Sequence, residues 1–590
     1  MARELTEVGV VGLGTMGAGI AEVLARAGLS VTAVEVTEPA LQRGRGHVES
    51  STGKAVARGK LDPAERDAIL SRIRFSTSME DLAVAELVVE AIPERMELKA
   101  QLFSKLDAIC PPDTILATNT SSLSVTELSV TTGRPGKVIG MHFFNPAPVM
   151  KLVEVVRTVV TEPSVVEDVE ALAARLGKVD VTIGDKAGFI ANALLFGYLN
   201  HALRMYEQGH VGREDLDAAM TLGCDLPMGP LALLDLIGLD TAVQILETMY
   251  GQSRDRLHAP APLLKQMVVA GLLGRKSGRG FYTYASPGSS TVAEGSGTGP
   301  AQDTRGPGRN VRTVAVVGTG PAAMRLARDA AVAGFSVVLV AGDEEGVVLV
   351  VERIRRSLDK DVQAEVLADA DRMAAFERIK GTSRLEDLAD AELVVAAAGA
   401  DASVVRALFA ELGRVCRPGA VLASGECSPV IECAAASGRP VDVVGMHVVD
   451  VAAGGRLVEV VSTVAASGEA VDTALAFCDR LGVPAVRCGD RAGFVVDALL
   501  VPYLNDAVRM LSDGYATASD IDTAMTAGCG YPQGPFEVLD AVGLDVALAR
   551  QRALYAESRE PGHAPAPLLE QFVRAGFLGV RTARGFRTYA

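Results

Sequence analysis

The sequence predicts an α/β plus all-α chain: a doubly wound parallel sheet followed by a helical domain, the pair occurring twice. Three observations carry this. Short apolar runs alternate with helical patterns over residues 1–186, the signature of parallel strands with helices on both faces. The pattern then turns helical through residue 285. Finally, the chain repeats itself. "TEVGVVGLGTMGAGIAEVLARAGLSVTAV" at 6–34 returns as "RTVAVVGTGPAAMRLARDAAVAGFSVVLV" at 312–340, and "GRKSGRGFYTYA" at 274–285 as "GVRTARGFRTYA" at 579–590. Polar differences between two such copies show where one has kept a chemistry and the other has lost it.

Taken in order, residues 8–13 are a short apolar run ending in glycine. A helical pattern follows from Met16 to Ala27, Gly28 stops it, and "SVTAVEV" reads as the next strand. Further buried strands are expected at 85–92, 114–119 and 137–143. Past residue 186, "GFIANALLFGYLNHALRMYEQG", "REDLDAAMTLG" and "GPLALLDLIGLDTAVQILETMYG" each read as one amphipathic helix. Residues 286–309 are rich in Gly, Ser, Pro and Thr and read as a flexible linker. The expected domains are therefore 1–186 and 187–285, the linker 286–309, then 310–491 and 492–590 as a second, degenerate pair.

Length and composition are consistent with this. At roughly 150 residues per domain, 590 residues suggest about four domains. A net charge of −16 argues against a nucleic-acid partner. Eight scattered cysteines show no CxxC or His/Cys spacing, so no metal site is expected and the thiols read as reduced, as in a cytoplasmic protein. Neither a basic, apolar leader nor a membrane-spanning run is visible.

Three motifs carry chemistry. The first is Gly12-Leu13-Gly14-Thr15-Met16-Gly17, which closes a strand and opens a helix. Glycines there permit a tight turn and let the backbone approach a pyrophosphate at the helix N-terminus. Glu35, ending the next strand, is placed to accept from a ribose 2′-hydroxyl, which favours NAD; Arg43 and Arg45 leave NADP open. The second is "ATNTSSLSVTEL" at 117–128, with Asn119 and Ser121 at a strand's carboxyl end, where doubly wound sheets bind ligands. The same residues fit helix capping equally well. The third is "GMHFFNPAPVMKLVEVV", where His142 ends a predicted strand and Glu154 follows twelve residues on. A histidine suits general-base work near neutral pH, and a carboxylate can fix its tautomer.

With these motifs in place, the chain resembles the 3-hydroxyacyl-CoA dehydrogenases, nearest their bacterial 3-hydroxybutyryl-CoA members. The matching runs are "GLGTMGAGIA", "NTSSL", "HFFNPAPVMKLVE", "DKAGFIANALL", "GPLALLDLIGLD" and "GRKSGRGFYTY", in the family's order. The resemblance implies a Rossmann-type domain, a helical domain that pairs with a second one, NAD as cofactor and an acyl-CoA substrate. It implies His142 as base, Glu154 as its orienting partner, and Ser121 and Asn192 at the substrate oxygens. Glu94, Lys99, Asn145 and Lys276 match positions around the NAD ribose and nicotinamide. Ser51, Lys54 and Arg58 match positions near the CoA phosphates, or are a solvated basic helix face.

The second repeat keeps His447 and Glu459 but departs elsewhere. Ala323 stands for Gly17, Ala341 for Glu35, Gly425 for Asn119, Cys427 for Ser121, Asp450 for Asn145 and Asp497 for Asn192. Ala396, Ala400 and Val405 replace Glu90, Glu94 and Lys99, and Arg581 replaces Lys276. The expectation is a second repeat without hydride transfer, whose helical domain pairs with the first through "GPLALLDLIGLD" and "GPFEVLDAVGLD"; further homo-oligomerisation stays open. Short-chain (S)-3-hydroxyacyl-CoA oxidation is the expected activity. A dicarboxylic, 3-hydroxyadipyl-CoA type of substrate is a close variant, and a non-catalytic acyl-CoA or NAD-binding protein a distinct alternative. A free 3-hydroxy-acid dehydrogenase, which relies on a catalytic lysine, is disfavoured by "HFFNP" and the His142–Glu154 spacing.

Overall fold

The computed structural model describes residues 2–293, 306–397, 402–425, 429–449 and 457–589. In the first repeat the strands are β1 (Glu7–Val11), β2 (Ser30–Val34), β3 (Ile73–Ser76), β4 (Leu87–Glu90), β5 (Ile115–Thr118), β6 (Val138–Phe143), β7 (Leu152–Arg157) and β8 (Val179–Gly184). They form one sheet in the order β3-β2-β1-β4-β5-β6-β7-β8. The first six are parallel, and β7 runs antiparallel to β6. Near-continuous Val, Leu and Ile runs such as "VGVV" and "LVV" fit strands buried on both faces. The strand order reverses between β1 and β4, which opens the ligand crevice at their carboxyl ends.

The second repeat copies this topology with β9 (Thr313–Val317), β10 (Ser336–Val340), β11 (Ile379–Thr382), β12 (Leu393–Ala396), β13 (Val421–Ser424), β14 (Val443–Val449), β15 (Leu457–Ser462) and β16 (Ala485–Gly489). Each sheet leads into a helical domain. The expected helix over 229–251 is two, Pro230–Ile237 and Leu239–Ser253, because Gly238 turns the chain at φ 99°. Such a φ is readily reached only by glycine.

The helical domains pack on each other chiefly through helix Ala191–Glu207 against helix Val496–Ser512. Tyr198 and Tyr503 meet edge-on there at 6.4 Å, and His201 stacks on His563 at 5.0 Å. The segments expected at this seam do not form it. Pro230–Ile237 and Pro535–Val542 pack against helices of their own domains, which bury their apolar residues first. One apolar cluster runs through both helical domains and one face of each sheet, and each sheet's other face has its own cluster.

The ends of the expected linker are packed. Ala293 N donates to Thr283 O, folding 291–293 back on the first helical domain, while Gly306 N and Arg309 N donate to Asp472 and Thr473. No helix among the described residues is long and apolar enough to cross a membrane.

Candidate active site

The glycine loop is built for close approach. Gly12 sits at φ 89° with its N–H on Val34 O, and a Cβ on Gly17 would lie 1.7 Å from Gly12 O. Only glycine at residue 17 lets helix Thr15–Arg26 begin this close to the turn. Gly14 is exposed, with open space where a Cβ would be. Glu35 turns back onto the loop and accepts from Leu13 N at 3.1 Å and Val36 N at 2.8 Å. Backbone donors at a helix N-terminus beside a carboxylate fit a dinucleotide's pyrophosphate and ribose.

Beneath the next strand end lies a buried ion network. Lys99 is 1% exposed and reaches Glu90 at 2.7 Å, Glu94 at 3.2 Å and Ile92 O at 3.3 Å. Expected to touch the cofactor, Lys99 instead lies under the loop with all three ammonium protons engaged. Glu94 makes the link to the surface. Its carboxylate accepts from Thr120 Oγ1 at 2.6 Å, Ser121 N at 2.9 Å and Ser122 N at 3.1 Å. Burial pushes its carboxyl up, but Lys99 and these donors more than offset that and hold it below the ordinary value. The "NTSS" turn is thus gathered on one anion. Asn119 Oδ1 accepts from Phe143 N at 2.8 Å, tying the turn to the strand that carries His142.

His142 and Glu154 face each other across the antiparallel β6–β7 pair. His142 Nδ1 lies 2.7 Å from Glu154 Oε2, and Glu154 is fully buried. Its other oxygen accepts from Ile190 N and Ala191 N, both at 3.1 Å, at the start of helix Ala191–Glu207. A buried carboxylate at a helix N-terminus is stabilised by those donors and by the helix dipole. Phe189, at φ 49° and 1% exposed, bends the chain so that the two amides converge. A bulky residue in this region is strained by about 1–3 kcal/mol and persists only where its surroundings enforce it. Phe189 and Phe144 flank the imidazole at 5.7 and 4.7 Å.

The helical domain closes the cleft. Asn192 Nδ2 lies 3.5 Å from Ser121 O, at the outer edge of a hydrogen bond, and Gln244 Nε2 donates to Glu94 O at 3.0 Å. Lys276 is paired with Asp240 on the rim. Asn145 is exposed beyond β6. Ser51 lies on helix Glu38–Ala57, with Lys54 exposed on the same helix and Arg58 exposed at its C-cap. The structure therefore brings together Ser121, Asn192, His142, Glu154 and Glu94. Sequence reasoning missed Gln244, Asp185 and Phe189. The "DxAGF" run common to both repeats was the available signal, since Asp185 caps helix Val125–Ser129 through Ser124 and Thr126.

The second repeat keeps one part of this geometry. His447 Nδ1 lies 2.7 Å from Glu459 Oε2, whose partner oxygen accepts from Val495 N and Val496 N. The rest is altered. Pro321 opens helix Pro321–Val332 and removes one amide donor, and Ala341 cannot accept from a ribose. Gly318 sits at φ 136°, against 89° for Gly12, and the loop accommodates the Ala323 methyl. Apolar Ala396 and Val405 fill the space of the Glu90–Lys99 pair. Asp497 is tied to Arg550 at 2.8 Å, and Arg581 keeps the rim pair with Asp545. Ala400, Cys427 and Asp450 lie outside the described residues.

Comparison with known proteins agrees with this layout. The profile of the 3-hydroxyacyl-CoA dehydrogenase NAD-binding domain matches residues 7–186 and 313–491, and that of the family's C-terminal domain matches 188–284 and 493–589. A 3-hydroxybutyryl-CoA dehydrogenase of Mycobacterium tuberculosis is 46% identical over 286 residues, 48% of this chain and 100% of that protein. The human mitochondrial hydroxyacyl-coenzyme A dehydrogenase is 41% identical over 284 residues, 47% of this chain and 90% of that protein. The crystal structure of 3-hydroxybutyryl-CoA dehydrogenase from Escherichia coli is alike over 98% of this chain and 100% of its own, with 26% identity and a TM-score of 0.70.

Proposed function

The chain belongs to the 3-hydroxyacyl-CoA dehydrogenase family, and on that premise we propose that its first repeat interconverts (S)-3-hydroxyacyl-CoA and 3-oxoacyl-CoA with NAD, on short acyl chains. The observation that supports this best is the His142–Glu154 pair beside Ser121 and Asn192. NAD, when bound, supplies the hydride acceptor. His142 Nε2, opposite the nitrogen held by Glu154, takes the proton of the 3-hydroxyl group. Glu154 fixes that tautomer and balances the imidazolium that forms. Ser121 and Asn192 orient the substrate's oxygens, and Glu94 holds the turn that carries Ser121. The Gly12–Gly17 loop and Glu35 hold the dinucleotide, with Asn119, Asn145 and Lys276 lining the nicotinamide side. Ser51, Lys54 and Arg58 meet the CoA phosphates. The names of the relatives favour the four-carbon substrate over a dicarboxylic one.

The test is oxidation of NADH with acetoacetyl-CoA by the wild type and Glu154→Gln. Turnover by the wild type and a loss of about 10²-fold or more in kcat for the variant are expected. A wild type that turns over only longer or dicarboxylic 3-oxoacyl-CoA would overturn the substrate assignment. A fully active Glu154→Gln would overturn the assigned roles.

A further inference from the structure

We propose that Tyr515 and Gly528, in the second repeat's helical domain, are positioning residues for the His142–Glu154 pair of the first repeat; this rests on the reading given above for that pair. Glu154 lies on β7, and β8 is the edge strand beside it. The chain leaving β8 runs through Lys186 and Phe189 to the two amides that hold Glu154. The second repeat grips this unit at both ends.

At one end, Tyr515 Oη donates to Gly184 O at 2.7 Å, on the last residue of β8. Its ring lies under the Lys186 ammonium at 5.1 Å, and Lys186 pairs with Asp513 at 3.3 Å. The strained turn at Phe189 thus begins from a fixed point. At the other end, Gly528 closes a π-turn, Ala524–Gly528, that packs on β7. A Cβ on Gly528 would lie 2.6 Å from Leu152 Cδ2 and 3.5 Å from the Phe144 ring. Leu152 opens β7 two residues before Glu154, and the Phe144 ring flanks His142. Burial raises the pKa of Tyr515 and of Cys529, and in each the next contribution is the Glu154 charge, which places both groups in its field.

The opposite crossing is built differently. His210 occupies the position of Tyr515 and lies 3.1 Å from Phe494 O through Nε2, while Gly489 N donates to its backbone. Gly223 matches Gly528 and packs on the counterpart residues Leu457 and Val449, but less closely: a Cβ on Gly223 would lie 3.2 Å from Leu457 Cδ2, against 2.6 Å for Gly528 and Leu152, and helix Arg213–Cys224 carries no π-turn. In two identical subunits both crossings would share one set of residues. Within one chain they have diverged, and the crossing with the π-turn, a feature frequent at functional sites, serves the first repeat.

The test compares wild type, Tyr515→Phe, Gly528→Leu and Gly528→Leu with Leu152→Ala in the full chain. Turnover with acetoacetyl-CoA and NADH is measured together with the NMR titration of labelled His142 and His447. Tyr515→Phe is expected to lower kcat about two- to tenfold with KM for NADH unchanged. Gly528→Leu is expected to lower kcat about 10²-fold, and Leu152→Ala to restore part of it. The His142 titration moves in Tyr515→Phe and Gly528→Leu, and that of His447 does not. Should Gly528→Leu fail to fold, Tyr515→Phe and Gly528→Ala decide. Folded variants with wild-type kcat and an unmoved His142 titration would overturn the proposal. A wild type inactive on acyl-CoA would sink the reading of the reaction instead, while the titration still reports on the positioning.

Discussion

On the proposed reading, Gly17 decides whether the first repeat can hold a dinucleotide. Gly17→Ala forces a methyl onto Gly12 O, and overpacking of this kind costs about 1–3 kcal/mol. A fall in NADH affinity of about 5- to 150-fold is expected by fluorescence titration, together with a lower Tm. Unchanged affinity would mean that the loop is not the cradle. The spacing of these glycines was legible in the sequence because each acts through its own backbone. Lys99 was not. Its burial depends on how the turn between β4 and helix Met96–Ile109 folds Glu90 and Glu94 onto it, and no residue type in that turn marks the lysine as enclosed. Phe189 was equally silent, since a left-handed aromatic has no composition to announce it.

At the level of elements, the parallel strands β1, β2, β4, β5 and β6 read directly as apolar runs. β3 and β8 did not, because "IRFS" and "VDVTIG" mix polar and apolar residues at the sheet edges. β7 was hidden in the motif read for its chemistry. The seam of Ala191–Glu207 on Val496–Ser512 was also misplaced, because several helices are apolar enough and only tertiary packing selects one pair. Its histidines make it sensitive to acid. Burial lowers His201 to about 3, and His210 and His563 to about 4, with Arg491 adding to each effect. Unfolded histidine titrates near 6.5, so between pH 7 and 5 the unfolded chain binds protons that the seam refuses, and stability falls. Asp506, raised to about 7 by burial, acts in the opposite sense across the same window. His201→Phe removes one histidine and leaves Asp506. The stability lost between pH 7 and 5, from urea unfolding, is expected to shrink by about 2 kcal/mol. Equal losses in the two proteins would contradict this.

Over the whole molecule, we propose that duplication has separated chemistry from support. The second repeat has lost the ribose acceptor, one loop amide and the buried ion network, yet it keeps His447 and Glu459. Retention has a structural cause. Glu459 caps helix Val496–Ser512 through two buried amides, and His447 satisfies its other oxygen. Removing either would leave a buried polar group unpaired, at a cost of about 1–3 kcal/mol. On the proposed reading, a catalytic-looking pair therefore persists beside a glycine loop and strand ends whose polar groups have changed. The most direct measurement of this division is NADH oxidation with acetoacetyl-CoA by wild type, His142→Ala and His447→Ala side by side. His142→Ala is predicted to lose about 10²–10⁴-fold in rate while His447→Ala turns over at close to the wild-type rate. A loss of about half the rate from each would contradict the account, because both repeats would then be catalytic.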